Sequence, residues 1–141
     1  MDDEHIELLN LGPAHSPGDI VTWLPKKKRV IAGDIAFYQR LLPVFDHTNT
    51  AAWIETWDSF ARLNAEIIVP GHVEPTTFEE ITKYTYGYLK HLRQEVRQLL
   101  DEDGTLVDVC KIDQSAYNYP DTFDELAKKN AGSVFAAMEF E

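Results

Sequence analysis

The stretch LGPAHSPGDIVTWLP, residues 11–25, decides how the chain is read, because it fixes one histidine in a constrained turn directly before a strand. Pro13 and Pro17 lock φ and Gly18 permits conformations other residues avoid, so His15 is aimed in one direction. The run that follows, residues 19–24, places Ile20, Thr22 and Leu24 on one face and Val21 and Trp23 on the other, the pattern of a strand covered on both sides. Residues 6–11, 29–32 and 66–69 are similar short apolar runs bounded by Gly, Pro or charge. They predict three further strands.

Helical spacing takes over elsewhere. Trp53, Ile54, Trp57, Phe60, Ala61 and Leu63 follow the cap-favouring Asn49-Thr50 and predict an amphipathic helix over 50–64. Thr77-Phe78-Glu79-Glu80 fits a capping box, and Phe78, Ile81, Thr85, Tyr88, Leu92, Val96 and Leu99 then trace one continuous face until Asp103-Gly104. A second capping box, Thr122-Phe123-Asp124-Glu125, predicts a last helix. The expected fold is α/β of the α+β kind: one mixed sheet of about four strands, helices on one face, and a helical C-terminal region. A single domain over 1–141 is expected, with 1–75 as the sheet half carrying the ligand loops and 76–141 as the helical region.

Composition bounds the function. A chain of 141 residues with 44% hydrophobic and 11% aromatic content suits one domain. The formal net charge of −11 repels nucleic acid and anionic membranes at long range, so neither is an expected partner. The single cysteine, Cys110, allows no intramolecular disulfide, and Met1-Asp2-Asp3-Glu4 has none of the marks of a signal peptide. A reducing cytoplasm is the expected compartment. No apolar run approaches the ~18 residues of a membrane span.

The chemistry lies where strands end. His15 precedes the second strand, Asp34 follows the third in VIAGD, and His72 follows the fourth in IIVPGH. Loops at one sheet edge can gather residues distant in sequence, and two imidazoles with one carboxylate suit Zn²⁺ or another borderline divalent ion. Plainer readings hold for the other candidates. His47 lies in the loop before a helix cap, His91 on a solvated helix face, and Lys26-Lys27-Lys28-Arg29 in a charged hairpin turn. Trp53, Trp57 and Phe60 belong to the core, and Cys110, beside Lys111 alone, is an inert thiol.

The succession Gly-Pro-Ala-His-Ser-Pro-Gly-Asp (12–19), Trp-Leu-Pro (23–25), Ala-Gly-Asp (32–34) and Val-Pro-Gly-His (69–72) resembles the second half of the metallo-β-lactamase superfamily, over about residues 8–72. The four motifs occur in the family's order, and the tail from Asn130 to Glu141 is similar to the end of some metallohydrolase-like members. The resemblance implies half of an αββα sandwich. It also implies that His15 is the third histidine of a first metal site, Asp34 the aspartate bridging two metals, and His72 the last histidine of the second site. The family draws its remaining ligands from a His-x-His-x-Asp-His motif, and this sequence contains no such run. Asp2-Asp3-Glu4-His5 lacks the two leading histidines and lies too close to His15.

Each metal site implied by the resemblance is therefore incomplete. The expectation is a truncated, catalytically impaired chain with no assigned catalytic residue and a weak or vestigial zinc site, acting, if at all, as a self-associating or binding module. The alternative is a zinc-dependent hydrolase, either with one weakly held metal or with the missing ligands supplied by a partner chain. In the family the sheet packs on a second sheet from the other half. The expected assembly is thus a homodimer through the face carrying Val21 and Trp23, or a complex with a chain supplying the missing half.

Overall fold

The four apolar runs form one mixed sheet of β1 (Glu7–Leu9), β2 (Val21–Leu24), β3 (Arg29–Gly33) and β4 (Ile67–Pro70), in the order β1-β2-β3-β4. The first three strands are antiparallel, whereas β3 and β4 are parallel. The computed structural model describes residues 4–119 and 121–141, and Met1, Asp2 and Asp3 of the acidic start lie outside them. Between β2 and β3 the chain turns through Pro25–Lys27, with Lys28 in the left-handed region at φ 45°. This is the expected charged hairpin, and its lysines are engaged: Lys27 pairs with Glu4 at 3.1 Å and Lys28 with Glu66 at 2.7 Å.

A parallel neighbour requires a crossover, supplied by α1 (Thr50–Ala61). Asn49 caps it by accepting the Ala52 N–H at 2.9 Å. Trp53, Trp57 and Phe60 are buried from this helix, as expected of core residues. The long helix after β4 is interrupted. It runs as α2 (Phe78–Ile81), a π-helical segment Thr82–Gly87, and α3 (Tyr88–Asp101). A short α4 (Leu106–Val109), which the sequence reading did not include, carries a capping box between Thr105 and Asp108. The last helix, α5 (Phe123–Met138), does not begin with the box expected at Thr122. That residue has φ 68°, and its hydroxyl donates to the Leu41 carbonyl instead of capping the helix.

Helices cover one side of the sheet. Val21, Trp23, Val30, Ala32 and Ile68 join a single hydrophobic cluster with residues of α1, α3 and α5. Val21 is 0% and Trp23 9% exposed, so these two belong to the chain's own core and cannot form a free dimer face. The alternation read from the sequence is right and the side is reversed, because a period of two separates the faces without saying which one the helices take. The open face carries Leu8, Thr22, Ile31 and Val69 in one cross-strand row. Leu8 is 69%, Ile31 46% and Ile67 36% exposed. Among the described residues, no helix is long and apolar enough to cross a membrane.

A buried polar network ties the helical region to the sheet half. The Asn130 amide donates to the Leu42 carbonyl at 2.7 Å and to the Tyr88 hydroxyl at 3.1 Å, and its oxygen accepts the Val44 N–H at 2.9 Å. Tyr88 donates to Gln114 at 2.8 Å, and Gln114 donates to the Ala127 carbonyl at 2.9 Å. Burial pushes the Tyr88 phenol well above its ordinary value, so it acts as a neutral hydrogen-bonding link.

Candidate metal centre

Asp34 and His72 stand at the carboxyl ends of the parallel pair β3 and β4, where α/β sheets commonly place ligands. Because β2 runs antiparallel to β3, the loop entering β2 reaches the same edge and brings His15 there. The Asp34 carboxylate oxygen Oδ1 lies 3.1 Å from His72 Nε2, with both side chains partly open to solvent. Gly71 makes that approach possible: a Cβ there would fall inside contact distance of Asp34 Oδ1. The Gly71 N–H also bonds the Gly33 carbonyl at 3.0 Å, which locks the ends of the two strands together.

The loop holding His15 is braced on several sides. Asp19 accepts from Ser16 through the backbone N–H at 2.7 Å and the hydroxyl at 2.9 Å. Thr56 of α1 donates to the Pro13 carbonyl at 2.6 Å, and Thr48 donates to the carbonyl of His15 itself at 2.9 Å. Gly12, at φ 131°, allows the close passage, since a Cβ there would strike the Thr56 hydroxyl.

Aromatic rings surround the histidines. The His15 ring centroid is 5.2 Å from Phe45 and 6.0 Å from both Phe37 and Trp53. His72 stacks on Phe37, also at 6.0 Å, so one buried ring touches both imidazoles. Phe37 is in turn fixed by Thr85 of the π-helical segment, whose hydroxyl accepts the Phe37 N–H at 2.8 Å and donates to its carbonyl at 2.9 Å. The sequence reading missed Phe37, Phe45 and Thr85. An aromatic three residues beyond Asp34 was a visible signal for the first, whereas nothing in the sequence ties Thr85 to it.

Asp34 and His72 are thus in contact, and His15 shares a ring with His72. Among the described residues, no group of three or more His, Cys, Asp or Glu stands close enough to hold a metal. The donor chemistry nevertheless suits a divalent ion. His15 Nδ1 is buried with no hydrogen-bond partner, a condition that carries a desolvation penalty unless something supplies one. The other histidines have different surroundings: His91 donates to the Asp113 carbonyl at 2.8 Å, and His47 stacks on Phe45. Cys110 is exposed, and its thiol faces the Leu106 carbonyl at 3.8 Å.

The fold and the placement of these residues at one sheet edge define a class. A sequence family described as the metallo-beta-lactamase superfamily matches residues 1–72, just over half of the chain. This chain belongs to the metallo-β-lactamase superfamily. No curated protein matches it. Solved structures with a similar fold include the DIM-1 metallo-beta-lactamase, at 22% identity and TM-score 0.53 over 60% of this chain and 41% of that one. A metallo-beta-lactamase from Pontibacter korlensis is 17% identical with TM-score 0.56, over 64% of this chain and 43% of that one. FIM-1 from Pseudomonas aeruginosa, solved in a mono-zinc form, is 22% identical with TM-score 0.52, over 64% and 44%. The chain spans about two fifths of the length of these structures.

Proposed function

We propose that this chain is a catalytically impaired form of the metallo-β-lactamase fold that retains part of a divalent metal site. Asp34 and His72 are its two ligands already in contact, and His15 is the third. The observation that carries this reading is the 3.1 Å Asp34–His72 contact at the ends of adjacent parallel strands. Zinc suits the donor set, and when bound such an ion polarises a carbonyl or phosphoryl oxygen and acidifies water. The chain's own residues hold and orient: Asp34 fixes the His72 ring, and Phe37 packs against both imidazoles.

So few ligands hold zinc more loosely than a complete two-metal centre. Calorimetric titration of Zn²⁺ into chelator-stripped protein should give a micromolar or weaker Kd, further weakened by His15→Ala and by His72→Ala. Nanomolar affinity, or indifference to both substitutions, overturns the reading. Turnover of a lactam, thioester and phosphodiester panel should stay below ~1 per second. A faster rate abolished by Asp34→Asn would instead favour a zinc-dependent hydrolase that recruits ligands beyond these three, a reading that the unpartnered His15 Nδ1 supports.

The open sheet face is assigned to a second copy of the chain. Its rows are mostly apolar, with Thr22 in one and, among the described residues, Arg29 as the one charged side chain that the register places in the other. A two-fold axis would match such a surface to itself, rebuilding the two-sheet sandwich. The compartment proposed remains a reducing cytoplasm, on the basis of the single Cys110.

A further inference from the structure

We propose that the cleft between the loop after β3 and helix α5 binds a small monocarboxylate bearing an apolar or aromatic group, and that Phe45 stands between such a ligand and His15. The cleft has a volume of about 490 Å³, within the range of small-molecule sites. Phe45 and Leu126 give it apolar walls, and Lys129, His47, Ser133 and Asp46 supply its polar groups. Phe45 joins it to the candidate metal centre. Its ring lies edge-on to His15 at 5.2 Å, stacks on His47 at 5.5 Å, and is still 46% exposed. The open part of this ring, between an imidazole and a cleft, offers an aromatic face against which an apolar group can pack.

The walls are built in advance. The buried Asn130 holds the Val44 N–H and the Leu42 carbonyl, while the Thr48 hydroxyl accepts the Phe45 N–H at 3.2 Å and donates to the His15 carbonyl. Little ordering is therefore needed on binding. Charge sets the ligand class. Lys129 is exposed and makes no ion pair among the described residues, in a chain whose net charge of −11 otherwise repels anions. Asp46 is the one carboxylate among the lining residues, and it disfavours a dianion such as a phosphate monoester. A single carboxylate on Lys129, with an apolar body against Phe45 and Leu126, satisfies both constraints.

The cleft's role as a substrate subsite rests on the reading of Asp34, His72 and His15 as a metal site; the binding itself does not. The test is an amide NMR titration of the metal-free full chain with phenylacetate and with its neutral analogue phenylacetamide. Phenylacetate should shift amides at 44–48 and 126–133, and phenylacetamide should bind about fivefold more weakly. Lys129→Glu, checked for native peak dispersion, should weaken phenylacetate about tenfold and leave phenylacetamide unchanged. Equal binding of acid and amide, shifts confined to the open sheet face, or no shift at tens of millimolar overturns the proposal. Zinc titration of the same sample separates the two readings: lost metal binding with retained phenylacetate binding removes the metal site alone, and the converse removes the cleft alone.

Discussion

At the scale of single residues, the candidate centre depends on side chains that are absent as much as on those present. Gly71 leaves room for the Asp34 carboxylate to lie against His72. Gly71→Ala would drive a Cβ into Asp34 Oδ1, the movable end of a partly exposed side chain, and bring it to 3.2 Å from the Gly33 carbonyl carbon, so the carboxylate swings away while the backbone gives by only a few tenths of an ångström. Zinc affinity should fall about tenfold, the scale of losses when a ligand's support is disturbed, with a stability change below about 1 kcal/mol. Calorimetry and thermal melting of the same variant read the two effects separately. A large drop in melting temperature would mean that Gly71 serves the strand junction and not the ligand pair.

At the scale of elements, the π-helical segment decides how the long helix serves the site. The wider turn over Thr82–Gly87 sets Thr85 in the core, where its hydroxyl bonds both backbone groups of Phe37. Thr85→Val removes both bonds at nearly constant volume and leaves a buried N–H unpaired, an expected loss of about 1–3 kcal/mol in denaturant unfolding. Thr85→Ser should retain most of the stability, and equal losses in the two variants would exclude the hydroxyl as the cause. The end of α5 is tied by charge. Arg93 reaches Glu141 through two hydrogen bonds, one of 3.0 Å, and this contact lowers the Glu141 pKa below its ordinary 4.5. A lowered folded-state pKa gives stability that is present above the ordinary value and lost as pH falls through the folded one. Melting temperature should therefore decline between about pH 5 and pH 3 more in the wild type than in Glu141→Gln, and parallel declines would remove this contact from the pH response.

At the scale of the whole molecule, the unresolved physical demand is the bare side of the sheet. Burying it recovers about 25 cal/mol/Å², and a stable interface needs on the order of 800 Å² from each partner. Ile31 stands in the cross-strand row Leu8, Thr22, Ile31 and Val69, so Ile31→Lys should convert a dimer to a folded monomer. Val21→Asp, placed in the core, should unfold the chain. The net charge of −11 opposes self-association, so raising salt should strengthen the dimer. Light scattering after size exclusion should give about twice the 16.1 kDa chain mass. A well-folded wild-type monomer at tens of micromolar, or a dimer indifferent to Ile31→Lys, overturns the assignment to a second copy.

The sequence by itself determined the strands, the crossover helix, the hairpin at Lys26–Arg29 and the positions of His15, Asp34 and His72 at strand ends. These follow from local rules: side-chain period, cap and turn chemistry, and backbone constraint at Pro and Gly. It could not tell which face of β2 the helices would take, since Val21-Trp23 and Ile20-Thr22-Leu24 are both apolar enough to be buried and only packing chooses between them. It placed an uninterrupted helix where Thr85 is drawn to Phe37, and a capping box at Thr122 where the chain bends into φ 68° to meet Leu41. Only the tertiary structure decided that Asp34 meets His72 while His15 Nδ1 stays buried and unpartnered, because those contacts join residues 38 or more positions apart or depend on a neighbouring ring. Such contacts are set by how three-dimensional space is filled, and no local pattern encodes them.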